Sequence, residues 1–167
     1  MRAYPAVMGC LLTVALAACA TVSTTTTESQ SRQRDPRLAR LYFIWPRGLM
    51  LKTGTVDIKV NGEVVGKIAP ESYFFIDRKP GTYTLGVEPG FDFTYFEADA
   101  PVTAGRTYYY SVNVSPTPLP HTGGLAIQGT PTTGTAMQAK SGVLASYRLG
   151  ALDATGAAAI MRDLDTR

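Results

Sequence analysis

Between Leu38 and Leu149 the chain never runs far without a turn former. Asn61-Gly62, Lys79-Pro80-Gly81, Pro89-Gly90 and Ala104-Gly105 cut it into short pieces. The pieces read as strands: Val56-Asp-Ile-Lys-Val60 alternates apolar and charged residues with period two, and Leu38 to Trp45 is a dense run of β-formers stopped by Pro46. Proline presets φ and glycine permits positive φ, so the residues that end one strand also turn the chain into the next. Strands are expected at Leu38–Trp45, Val56–Val60, Glu63–Ala69, Ser72–Asp77, Thr82–Glu88, Phe91–Ala98, Arg106–Val114 and Gly142–Leu149. This spacing predicts an all-β fold, a single antiparallel β-sandwich of about seven strands, more than a barrel. Asp153 as N-cap, with Ile160 and Leu164 four apart, predicts a short C-terminal helix in the 151–167 tail.

The Asn61-Gly62 hairpin carries a conflict. A two-residue turn pairs Val60 with Glu63 and Ile58 with Val65, which puts Val64 and Ile68 on the face of Asp57 and Lys59. One extra loop or bulge residue near Gly62 restores Val60 opposite Val64 and Val56 opposite Ile68. A bulge there is therefore expected.

The N-terminus has a different composition. Arg2, the apolar run Ala6 to Leu16 and the small residues before Cys19 make residues 1–18 an export signal. Leu16-Ala17-Ala18-Cys19 resembles the bacterial lipobox, in which signal peptidase II cuts between Ala18 and Cys19 and the thiol carries lipid. Cleavage after Ala17, leaving a soluble protein, and an uncleaved anchor over Ala3 to Val22 are the alternatives. The chain holds 2 Cys, of which Cys10 lies in the signal and Cys19 would be lipidated, so no disulfide or Cys–metal site is expected in the mature protein. About 130 residues then remain after signal and linker, enough for one domain.

Residues 19–37 read as a lipidated flexible linker: Ala20 to Pro36 is rich in Thr, Ser and Gln without apolar periodicity, a disordered tether of roughly 20 to 25 Å as a coil. Arg32, Arg34, Arg37 and Arg40 could lean on anionic headgroups or simply solvate this stem. The sandwich follows over 38–150. The formal net charge is +3 and the basic residues are otherwise scattered, so nucleic acid is not expected as a partner.

Arg40-x-Tyr42-Phe-Ile, Val56-x-Ile-x-Val-Asn-Gly-x-Val-Val-Gly66-Lys-Ile, Ser72-Tyr-Phe-Phe-Ile-Asp77 and Pro80-Gly-Thr-Tyr-Thr-Leu85 together resemble a family of small bacterial lipoproteins defined by a domain of unknown function. The likeness covers about residues 37 to 115. It implies an Ig-like or prealbumin-like (carboxypeptidase-regulatory-like) sandwich, and no catalytic residues. In lipoproteins of this kind Asp after the lipidated Cys favours inner-membrane retention. Ala20 stands there, which implies a lipid anchor in the outer membrane, facing the periplasm.

Catalysis finds little material. His121 is the sole histidine, which denies the chain a multi-His metal centre and would rest a Ser-His-Asp triad on one loop residue; no cofactor is expected. Asp92, Glu97 and Asp99 are near in sequence, but Asp92 and Glu97 fall on opposite faces of one regular strand, so a carboxylate-dependent hydrolase is the weakest reading.

Binding is better supplied. In Thr107-Tyr-Tyr-Tyr-Ser-Val-Asn-Val114, alternation sends Tyr108, Tyr110, Val112 and Val114 to the core and leaves Tyr109 among polar neighbours, suited to stacking on a sugar or peptide or to packing on Phe91, Phe93 or Tyr95. The Pro-rich loop 115–137, with His121, is either disordered or a ligand-presenting segment. The expectation is a non-catalytic sandwich, held to the membrane by its lipid, that binds an envelope protein or cell-wall glycan through residues such as Tyr109 and His121. A structural or assembly role is the alternative.

Overall fold

A computed structural model of the chain describes residues 23–48, 54–90, 95–114, 133–142 and 145–166. Ala18, Cys19, Asp92, His121, the export signal and most of the 115–137 loop lie outside the described residues.

Two five-stranded sheets pack face to face. One has the order β1-β4-β3-β6-β7, from Thr25–Thr26, Glu63–Ile68, Val56–Val60, Gly81–Pro89 and Phe96–Val102. The other has the order β5-β2-β8-β10-β9, from Ser72–Arg78, Ala39–Trp45, Thr107–Val114, Tyr147–Leu152 and Thr135–Ala136. Alternation buries one side of each: Val56, Ile58 and Val60 in β3 and Leu85 and Val87 in β6 meet Leu41, Phe43 and Trp45 of β2 and Tyr110 and Val112 of β8. Phe43 lies between Phe74 and Tyr110, with ring centroids 5.5 Å and 5.7 Å away. Trp45 meets Tyr147 edge-on at 5.4 Å.

The all-β sandwich is as expected, with one departure from antiparallel pairing: β2 and β8 run parallel, Arg40 opposite Thr107 through Ile44 opposite Ser111. Parallel neighbours need a crossover, and here the chain makes it through the whole of the β3–β4 hairpin, β5, β6 and β7.

The hairpin resolves its conflict differently from the expectation. Asn61 (φ 52°) and Gly62 (φ 84°) form a regular two-residue turn, and Val60 pairs with Glu63. The register shift comes farther along, between Ile58 and Lys59, where Val65 is the extra residue, and Val56 then pairs with Ile68. Val65 thereby turns into the core and Val64 is left 43% exposed. The turn chemistry was satisfied first, and the bulge repaired the facing inside the strand.

Two other strands shift. The expected Phe91–Ala98 strand is β7, Phe96–Val102, fixed by pairing from Val87 opposite Phe96 to Gly81 opposite Val102. Pro101 is tolerated because β7 is an edge strand. The expected Gly142–Leu149 strand is β10, Tyr147–Leu152, carried on by its pairing with β8 as far as Leu152 opposite Tyr109. The helix α1, Ala154–Asp165, starts as expected, with Asp153 accepting from Gly156 N–H at 2.8 Å.

The largest correction concerns the tether. Residues 23–36 lie on the sandwich. Thr25 and Thr26 pair with Lys67 and Gly66 at the edge of one sheet, and Thr24 Oγ1 accepts from Ala69 N–H at 2.9 Å. Farther on, the Gln30 amide bonds both backbone groups of Phe75 at the edge of the other sheet, Nε2 donating to its carbonyl at 3.0 Å and Oε1 accepting from its N–H at 2.8 Å. Glu28 accepts from Asp77 N–H at 3.2 Å and pairs with Arg78 and Arg32. The segment is a strap that closes one side of the sandwich and protects two strand edges. Sequence composition missed it because its anchors are polar side chains that bond to backbone, which leave no hydrophobic period to read.

Candidate functional site

The strap makes the two outer faces unequal. On the β5-β2-β8 side, Arg40 donates to both carboxylate oxygens of Asp77, at 2.8 Å and 2.9 Å, and its guanidinium sits 3.8 Å from the Phe75 ring centroid. The pairing with Asp77 outweighs burial and raises the Arg40 pKa above its ordinary value. Arg40 also donates to the Arg32 carbonyl, Arg34 to the Gly105 carbonyl, and Arg37 to Asp35. Arg32, Arg34 and Arg40 thus tie the strap to the sandwich or to itself, while Arg37 pairs with Asp35 two residues away and is mostly exposed.

Tyr109 belongs to this same side. It stacks on Tyr42 of the neighbouring parallel strand, centroids 5.3 Å apart at 20°, and is half-buried. Tyr42 also meets Phe75 at 5.4 Å and Tyr73 at 6.3 Å. Tyr95 lies on the other sheet's outer face, so it is not the partner of Tyr109; Phe91 and Phe93 are outside the described residues. Tyr109 does line an apolar cleft of about 290 Å³ with Tyr108, Met137 and Leu152.

The remaining outward positions of β8 are closed. Ser111 and Asn113 are 0% and 6% exposed although the alternation puts them opposite the core. The returning end of the long loop covers them: Thr133 N–H donates to Asn113 Oδ1 at 2.9 Å, and Ser111 Oγ bonds the carbonyls of Thr133 and Gly150. The helix pins itself beyond, with Tyr73 donating to Asp165 at 2.8 Å and Arg47 pairing with Asp163 at 3.1 Å.

Among the described residues, no segment covers the outer face of the β4-β3-β6-β7 sheet, which is open. Val64 and Tyr95, the two large apolar side chains that are exposed among the described residues, both belong to it, Tyr95 at 49%. Pairing aligns Val64, Lys59, Gly86 and Glu97 in one row across the four strands, with Asp57 and Glu88 two residues along. Gly86 contributes no side chain, and a groove of about 310 Å³ opens over it, walled by Lys59, Glu88, Tyr95 and Glu97. Lys59 pairs with Glu88 across it.

Two of the three carboxylates, Glu97 and Asp99, are engaged by neighbouring donors. Glu97 and Asp99 project from alternate residues of β7 onto this face, and each is held by donors: Ser141 Oγ at 2.7 Å on Glu97, Thr84 Oγ1 at 2.9 Å and Lys140 Nζ at 3.1 Å on Asp99. The bonds from Thr84 and Lys140 keep the Asp99 carboxyl below the usual carboxylate range. A general acid of a glycosidase needs the opposite shift. No group of three or more metal-ligating side chains forms among the described residues.

Of the residues singled out in the sequence, Tyr109, Glu97 and Asp99 are placed: Glu97 and Asp99 share the outward side of β7, Glu97 on the Gly86 groove, and Asp99 also lines the cleft beside Tyr109. Lys59, Gly86 and Glu88 were missed. The available signal was a glycine in the middle of the Thr82–Glu88 alternation, at an outward position where glycine weakens a strand.

A family model with the description "Protein of unknown function (DUF2846)" matches residues 36–125, more than half of the chain. No curated protein and no solved structure matches.

Proposed function

The chain belongs to the DUF2846 family of proteins of unknown function, and we propose that it is a lipid-anchored, non-catalytic β-sandwich of the bacterial cell envelope that binds a periplasmic protein or cell-wall partner on its open sheet face. The observation that carries the binding reading is the inequality of the two outer faces. One is covered by strap, loop and helix except at the cleft beside Tyr109; the other presents Tyr95, Val64 and a side-chain-lined groove. The lipobox-like Leu16-Ala17-Ala18-Cys19 supports anchoring, with Ala20 supporting the outer membrane. The two-sheet sandwich is compatible with the prealbumin-like fold that the resemblance implies.

The docked strap sharpens the geometry of this proposal. With Thr24 fastened to Ala69, only residues 19–23 separate the lipid from the body, a reach of at most about 18 Å. Several acyl chains at about 0.8 kcal/mol per buried CH₂ anchor stably where one does not. A partner would therefore be met close to the bilayer.

Two measurements test the proposal. The mass of the mature N-terminal peptide should show Cys19 with thioether lipid; an unmodified peptide starting at Ala18 sinks the anchor. A photo-crosslinker at position 95 in intact cells should capture a discrete, saturable adduct that the same group at Lys79 does not, and equal background at both positions sinks the binding face.

A further inference from the structure

Apart from Gly81 at the start of β6, three glycines sit in strand interiors among the described residues, Gly66 in β4, Gly86 in β6 and Gly150 in β10. Two have a tenant from this chain. A Cβ at Gly66 would lie 2.7 Å from the Thr25 carbonyl of the strap and 2.8 Å from the Phe74 ring; one at Gly150 would lie 2.7 Å from the Thr133 carbonyl and 2.8 Å from Asn113 Nδ2. At Gly150 the returning loop packs onto the outward side of the sheet, whereas at Gly66 the paired edge strand β1 and a core ring of the opposite sheet come close.

Gly86 differs. The nearest atoms to a Cβ there are Lys59 Cβ at 3.3 Å, the Phe96 carbonyl at 3.5 Å and Glu97 Cγ at 3.8 Å, all from the two strands that flank it. Its pairing with Lys59 and Glu97 carries no bulge on either side of it in β6. Among the described residues, no bulge and no segment laid over the sheet stands at Gly86; a Cβ there would crowd only Lys59 Cβ of the flanking strand, at 3.3 Å, and the space above it is groove, which leaves room for close approach of a ligand.

We propose that the Gly86 groove is a glycan subsite, in which a pyranose ring lies over Gly86 against the Tyr95 ring with its hydroxyls on Lys59, Glu88 and Glu97. This rests on the binding reading of the same face and names its ligand class. The chemistry of the walls selects the class. The backbone groups of the floor are consumed by the β3–β6 and β6–β7 ladders, so an extended peptide finds no free strand edge to pair with. What is offered is an ammonium, two carboxylates and a phenol ring, a set that serves hydroxyl donors and acceptors and gives an apolar ring face a platform. Two carboxylates against one ammonium disfavour a phosphate or other anion. A volume of about 310 Å³ admits one ring with its substituents, not a long chain of them.

The test uses the full-length chain in detergent micelles, with amide chemical shifts followed as chitotetraose or maltotetraose is added. The expected result is saturable shifts of Gly86, Lys59, Glu97 and Tyr95 with at least one glycan, while Thr26 and Asn113 stay still. Gly86→Val should weaken that binding by at least about tenfold. Tyr95→Ala, which trims a half-exposed side chain, should weaken it several-fold and serves if Gly86→Val does not fold. No saturation by either glycan, or saturation unchanged in Tyr95→Ala, overturns the subsite. Saturation by tetraalanine alone at the same amides also overturns it, in favour of a peptide. A position-95 crosslink to a protein in cells, with no glycan binding, would defeat the glycan inference and leave the tethered-binder reading standing; background alone would defeat both.

Discussion

On the outside of one sheet Asp77, Ser111 and Asn113 are buried, whereas on the outside of the other Lys59, Lys67, Asp99 and Tyr95 meet solvent to differing degrees. Both faces alternate polar with apolar residues along their strands, so period two alone ranks them equal. What separates them is long-range cover. Buried polar groups demand partners, and Asp77, Ser111 and Asn113 on the sealed face find theirs in the strap, the returning loop or a neighbouring strand. The open face uses side-chain ion pairs that water can replace, such as Lys67 with Asp57 at 2.5 Å.

That contrast can be broken by substitution. Asp77→Ala strips the partner from a mostly buried guanidinium and should cost about 3 kcal/mol in urea unfolding, with Arg40→Ala in the same background restoring part of it. A matched glycine pair comes next. Gly150→Ala forces a Cβ against Thr133, Asn113 and Ser111 and should cost about 1 to 3 kcal/mol, while Gly86→Ala on the open face should change stability by less than about 1 kcal/mol. Equal costs would mean that the faces are not differently packed.

The strap gives smaller effects. Gln30→Ala leaves the N–H and carbonyl of Phe75 without their bonds and should cost about 1 to 2 kcal/mol, with faster hydrogen exchange at the Phe75 amide. An exchange rate unchanged from the parent would show the strap to be dispensable to that edge.

Alkali should act on the sealed face through Tyr73. Burial and the bond to Asp165 push its phenol up to about 12 from 10.0. The folded state thus keeps a proton that the unfolded chain loses, so this contribution is whole below pH 10 and disappears as pH rises to about 12. Tyr73→Phe should flatten that part of the stability profile, and an unchanged slope would place the late-titrating phenol elsewhere. Smallest of all, Lys67→Ala on the open face should shift stability by less than about 0.5 kcal/mol, an effect that salt removes in the parent.

Much of the fold was legible in the chain itself. Strands β3 and β8, the Asn61-Gly62 turn, the inward set Tyr110 and Val112, and the Asp153 cap all follow from residue types at short spacing. The candidate site was much less so. Glu97 and Asp99 were visible as carboxylates near one another, but their donors come from Thr84, Lys140 and Ser141, between fifteen and forty-four residues away. Tyr109 was visible as an outward aromatic, but its partner Tyr42 reaches it through a parallel pairing across an entire crossover.

Local rules act within a turn or along a strand: φ preferences at Asn61, Gly62 and Pro80, and alternation at Val56–Val60, are properties of adjacent residues, and the sequence by itself determined them. Cover is decided between segments that share no local pattern. Thr24 to Gln30 read as a solvated leash because Thr, Ser and Gln suit water as well as they suit a strand edge, and only the nearness of Ala69 and Phe75 turns them into a strap. Gly66, Gly86 and Gly150 are the same letter in the chain. Tertiary structure alone set the Thr133 carbonyl against Gly150, closed the paired strand β1 and the Phe74 ring on Gly66, and left a groove over Gly86.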